Sequence, residues 1–188
     1  MVPMKRSIVA SLWILFLCAA LSLRSQVLPS AATSALSIDG GALGTVFQPD
    51  YAGEGIAQTG PKRLWGVGAY VDTRFSRWVQ VEGEGRWLRF NEYLGIDQDT
   101  YLIGPRVPIY EFRRFTPYAK ALVGMGGGSF LSGQSFVVAY GGGLDFRLSR
   151  RLSVRGEYEY QQWRITPTLY PYGVSAGISY KIFGPPSR

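Results

Sequence analysis

LSVRGEYEYQQWRI, residues 152–165, sorts itself into two classes. Leu152, Val154, Gly156, Tyr158 and Tyr160 occupy the even positions, and Ser153, Arg155, Glu157, Glu159 and Gln161 the odd ones. A strand sends successive side chains to opposite faces, so period two predicts a strand whose faces meet different surroundings. Residues 174–183 repeat the pattern, with Val174, Ala176, Ile178, Tyr180 and Ile182 against Ser175, Gly177, Ser179 and Lys181. Each run is about ten residues long, the length a tilted strand needs to cross a bilayer.

The same reading extends outward to six more strands. Residues 38–47 are small on both faces. Residues 64–74 set Trp65, Val67, Ala69 and Val71 against Tyr70, Asp72 and Arg74. Residues 78–90 oppose Val79, Val81 and Trp87 to Gln80, Glu82, Glu84 and Arg86. Further strands are predicted over 100–107, 117–128 and 135–148, adding Arg106, Lys120, Asp145 and Arg147 to the polar class. Glycine- and proline-containing stretches near 48–62, 91–98, 129–134 and 166–172 read as loops, and shorter turns alternate with them. The fold expected is all-β, an eight-stranded antiparallel up-and-down transmembrane β-barrel over residues 36–188.

Residues 1–35 read as an export signal and linker. Lys5 and Arg6 precede an apolar run, and small residues follow, with cleavage expected between about residues 22 and 35. Without Lys5, Arg6 and Arg24, 17 bases stand against 13 acids, so the formal charge falls from +7 to +4 and demands no nucleic acid. There is no histidine, and the one cysteine, Cys18, lies in the leading apolar run. That disfavours a disulfide, a thiol nucleophile, a Ser-His hydrolase or a soft-metal site in the exported chain.

Alternation alone leaves the faces open, because a soluble lipocalin-like barrel alternates too, with its apolar class inside around a ligand. Three features favour the membrane. Asp72, Glu82, Glu84, Asp145, Glu157 and Glu159 balance Arg74, Arg86, Arg106, Lys120, Arg147, Arg155 and Lys181, as a lumen of paired charges requires. The apolar class carries aromatics at two levels, Trp65, Trp87, Tyr101 and Tyr160 at one and Phe146, Tyr180 and Phe183 at the other. A ligand cavity would gather its aromatics at one place.

The chain resembles the OmpA-like and opacity-type small outer-membrane β-barrels. The resemblance rests on YLIGPRV at 101–107, PYAKALVGMGGG at 117–128, AYGGGLDFRLSRRLSVRGEYEYQQWR at 139–164 and AGISYKIF at 176–183. It implies a bacterial outer-membrane location, contact with outer-membrane lipid, and a last strand read by the outer-membrane assembly machinery through Gly177, Tyr180, Ile182 and Phe183. The family's signal usually ends on a terminal aromatic, whereas here Gly-Pro-Pro-Ser-Arg follows Phe183.

Enzymatic readings are weaker. Glu82 with Glu84, or Glu157 with Glu159, could act as acid and base in glycoside cleavage. Ion pairing with neighbouring arginines explains them more simply. The glycines at 124–128 and 141–143 neither open a helix nor precede a Lys-Ser/Thr pair, so they read as strand glycines. The expectation is a monomeric, non-enzymatic envelope barrel without cofactor or metal. Its lumen is plugged by ion pairs, and its outer loops serve a structural or adhesion-type role. The soluble ligand-binding barrel is the alternative.

Overall fold

The computed structural model describes residues 36–50, 63–76, 79–91, 96–129 and 133–184. The expected leader and its cleavage position, Trp78, most of the first long loop and the last four residues lie outside the described residues. Among the described residues there are eight strands: β1 (Ser37–Gln48), β2 (Leu64–Arg74), β3 (Gln80–Leu88), β4 (Gln98–Pro108), β5 (Phe115–Gly127), β6 (Ser135–Arg147), β7 (Leu152–Trp163) and β8 (Tyr172–Phe183). Each pairs antiparallel with the next, and β8 returns to pair with β1, closing the barrel. Closure leaves no strand edge unpaired, the condition for crossing lipid with strands. No helix among the described residues is long and apolar enough to cross a membrane, which says nothing of crossing by strands.

The connections differ by end. At one mouth, here the turn end, they span 75–79, 109–114 and 148–151. At the other, the loop end, they span 49–63, 89–97, 128–134 and 164–171, each longer than any at the turn end. β4, β5 and β8 each begin two residues before their predicted starts, because pairing with neighbours carries the ladder past the alternating core.

The burial pattern assigns the faces. Val154, Tyr158 and Ile178 are 36%, 50% and 56% exposed, while Arg155 and Glu157 between them are 1% and 6% exposed. Apolar side chains form the outer wall and charged ones the interior, the inverse of a soluble barrel, so the lipocalin alternative is not favoured. β1 departs from its predicted blandness: Leu43, Thr45 and Phe47 are buried, facing inward. Gly177 shows why β8 needs small residues here. A β-carbon at that position would meet the Ala42 carbonyl oxygen and Leu43 Cα of β1.

Candidate functional site

The lumen holds the molecule's concentrated chemistry. Arg86, projecting inward from β3, donates to both Glu84 oxygens at 3.1 Å, to Glu159 at 3.0 Å, to Ser175 Oγ at 2.6 Å and to Glu157. Lys120 Nζ on β5 reaches Glu82 at 2.8 Å, Glu84 at 2.7 Å and Glu159 at 3.0 Å. Nearer the turn end, Arg155 binds Glu82 at 2.9 Å and Asp145 at 3.0 Å, and also Asp72. Arg106 donates to Asp145 and to the Gln80 side-chain amide oxygen Oε1. Their guanidinium planes lie over phenol rings, Arg106 3.7 Å from the Tyr118 centroid and Arg155 3.8 Å from that of Tyr70. Arginine's flat, weakly hydrated head suits such stacked, buried pairing.

Of the predicted lumen residues, the barrel brings ten into this network: Asp72, Glu82, Glu84, Arg86, Arg106, Lys120, Asp145, Arg155, Glu157 and Glu159. The other three stand nearer the turn-end mouth. Arg74 pairs at 3.5 Å with Glu111, a half-exposed turn residue. Lys181 stands opposite Asp39 in register, and Arg147 opposite Ser153. Among the described residues, Arg86, Arg106, Lys120 and Arg155 stand among these six carboxylates. The carboxylates share their cations and take neutral donors as well, Tyr118 Oη donating to Glu157 at 2.7 Å and Gln161 Nε2 to Glu159 at 2.8 Å.

Charges share the lumen with apolar side chains among the described residues. Toward the loop end Leu102, Leu122, Val137, Ala139 and Trp163 form one buried apolar cluster, with Leu169 packed against it. Phe47, Leu64 and Leu88 form another, against Ile96. Trp163 sits over Gly126, where a β-carbon would strike its ring, and its Nε1–H donates to Gln161 at 2.9 Å. These residues share strand parity with the charged class, which is how they could have been found. Leu64 belongs with Asp72, and Trp163 with Glu157.

Carboxylate oxygens of Glu84, Glu157 and Glu159 lie within 4.8 Å of one another, close enough for a cation. Arg86 and Lys120 already stand among them, so the donors serve side-chain cations. The residues read as girdle members sit on the outer wall. Trp65 and Tyr101 are exposed near the loop end, and Trp87 Nε1 donates to Tyr101 Oη at 2.9 Å. Tyr160 stacks on Tyr170 at 6.0 Å. Near the turn end Phe146 packs on Phe115 at 4.8 Å, and Tyr180 accepts from Arg151 at 3.4 Å. Ile182 and Phe183, at the turn end of β8, are both exposed.

The outer membrane protein beta-barrel domain family model matches residues 15–181. The chain belongs to this family. It is a bacterial outer-membrane protein with its apolar wall toward lipid. Neisserial surface protein A superposes with a TM-score of 0.58 at 13% identity, over 78% of this chain and 97% of that one. Outer membrane protein AlkL gives 0.52 at 13% identity, over 88% and 99%. Outer membrane protein OprG of Pseudomonas aeruginosa gives 0.51 at 15%, over 80% and 97%. At these identities the likeness concerns the fold alone. Comparison with proteins of curated function finds no match.

Proposed function

We propose that the protein is a non-enzymatic envelope barrel with a closed lumen, serving a structural or adhesion-type role through its longer loops. The observation that carries this reading is the filled interior. Arg86, Lys120, Arg106 and Arg155 are locked to carboxylates through the middle and turn-end half, and Trp163, Leu122, Phe47 and Leu88 occupy the loop-end half. Eight strands enclose a space that side chains can fill. The paired glutamates are engaged by Arg86 and Lys120, which favours a packing role for them over acid–base work.

The unequal connections support an orientation. Bacterial barrels of this kind keep short turns in the periplasm and longer loops outside. On that reading both barrel termini lie in the periplasm. Gly177, Tyr180, Ile182 and Phe183 then present the assembly signal on the final strand. The closed sheet needs no partner strand, which supports a monomer.

Single-channel recording in planar bilayers tests the closed lumen. The expected trace is near silence, and a wide, steady conductance overturns the reading. Display on a non-adherent bacterial host tests the surface role: gain of attachment that disappears when 164–171 is replaced by a short turn supports adhesion. No gain restricts the role to structure.

A further inference from the structure

The two mouths differ sharply in charge. The turn-end connections carry five arginines, Arg77, Arg113, Arg114, Arg150 and Arg151, against one acid, Glu111. That acid is taken up by Arg74. The loop-end connections carry four bases, Lys62, Arg63, Arg89 and Arg164, against four acids, Asp50, Glu54, Glu92 and Asp97. One end is strongly cationic and the other neutral, on a cylinder whose wall is apolar.

Arg113, Arg114, Arg150 and Arg151 stand on hydrogen-bonded turns. Phe112 and Phe115 exchange backbone hydrogen bonds at 2.9 and 2.7 Å, which leaves Arg113 and Arg114 as the apex of a tight hairpin. Arg113 adopts φ 49°, the left-handed region such a turn demands. Ser149 Oγ accepts from Leu152 N–H at 3.1 Å and from Arg151 N–H at 3.4 Å, fixing the neighbouring tip. The tips are joined, since Arg147 N–H donates to Arg114 O at 2.8 Å. Arg113, Arg114, Arg150 and Arg151 are all exposed, and none forms an ion pair among the described residues. Beside them lie exposed rings: Tyr110, Phe112, Phe115 and Tyr180.

Aromatic rings favour headgroup depth, and clustered arginines at that depth are drawn to anionic lipid. We infer that the turn end is a docking surface for anionic phospholipid headgroups, gripped by the Arg113–Arg114 and Arg150–Arg151 tips and levelled by the rings around them. The surface fixes the barrel's depth and tilt against one leaflet. That this is the periplasmic leaflet rests on the orientation proposed above; the binding itself does not.

The test uses the full exported barrel in phosphatidylcholine vesicles doped with spin-labelled phosphatidylglycerol or spin-labelled phosphatidylcholine. At low salt the motionally restricted fraction should favour phosphatidylglycerol about fivefold, what a single arginine contributes near an anionic surface, and the preference should shrink as salt rises. The quadruple variant R113Q/R114Q/R150Q/R151Q should bring the preference to unity while keeping heat-modifiable gel migration. The loop-end control R63Q/R164Q should keep it. A preference that survives the quadruple variant, or falls equally in the control, overturns the inference. Abolition by inorganic phosphate at matched ionic strength also overturns it, because that would mark a free-anion site. Orientation is read separately: S149C labelled in intact cells by a membrane-impermeant maleimide would refute the periplasmic placement and leave the lipid result standing.

Discussion

Lys120 Nζ lies 2.7 Å from Glu84 Oε2, although their strands, β5 and β3, are separated in the sheet by β4. The contact passes over the inner face of β4, which the inward curve of the sheet allows. Arg86 reaches farther, across the lumen to Glu157 and Glu159 on β7, four strands away, and that contact needs the closed cylinder. The interior is cross-braced as well as filled.

That bracing predicts the cost of removing one cation. Arg86→Met strands Glu84, Glu157 and Glu159 beside Lys120 alone. Breaking a buried ion pair from one side costs about 3–5 kcal/mol. Equilibrium urea unfolding of the barrel in lipid vesicles should register that loss. Adding Glu84→Gln and Glu159→Gln to the same variant should recover much of it, and failure to recover would mean Arg86 acts through packing.

The apolar plug makes a separate prediction. Trp163→Ala removes the largest fully buried side chain among the described residues. Truncations of this kind cost about 3–5 kcal/mol. The variant should also pass small ions across planar bilayers, where the native barrel is expected to be near silent. Unchanged conductance would place the lumen's seal in the charged layer instead.

The outer wall should tolerate charge by depth. Ile178, outward on β8, pairs in register with Ala42 and Val154 inside the wall, whereas Ile182 lies next to the last residue of the strand. An arginine at the bilayer midplane costs about 2–4 kcal/mol, falling to about 0–1 near the interface. Ile178→Arg should therefore destabilise the vesicle-embedded barrel several-fold more than Ile182→Arg. Equal effects would contradict lipid contact along this wall.

A loop contact should respond to pH. Asp97 accepts from Ser129 N–H at 2.6 Å and donates its own N–H to Ser129 Oγ at 3.1 Å, clasping the 89–97 and 128–134 connections. Partial burial pushes the Asp97 carboxyl up, but hydrogen bonding to Ser129 and the nearby Arg89 hold it below its usual range. A carboxyl depressed in the folded state stabilises above its unfolded value and loses that contribution as pH falls through the folded value. Hydrogen exchange at the Ser129 amide should therefore lose protection below the ordinary carboxylate range. Asp97→Ala should remove the dependence.

Much of the barrel was legible as alternation. Residues 64–74 were bounded in the sequence as the structure bounds them, because Trp65, Val67 and Ala69 alternate with glycines and Tyr70 without interruption. β1 was harder to read. Its small residues hide the period, and Leu43, Thr45 and Phe47 declare an inward face only when Ser175 and the neighbouring strands surround them. The apolar plug was missed for a related reason. Leu64, Leu88, Leu122 and Trp163 carry the chemistry of the outer wall but the parity of the lumen. Residue type spoke louder than position.

The sequence by itself determined that eight alternating strands exist, that they are long enough to cross lipid, and that one class of positions would be charged. Parity and length are local properties, set by the pleat of each strand. Which charges would meet was decided by the tertiary structure alone. Arg86 joins residues 71 and 73 positions away, and Arg74 turns to Glu111 at the mouth, because partner choice depends on strand stagger around a closed cylinder. No single strand contains that stagger, and closure supplies it.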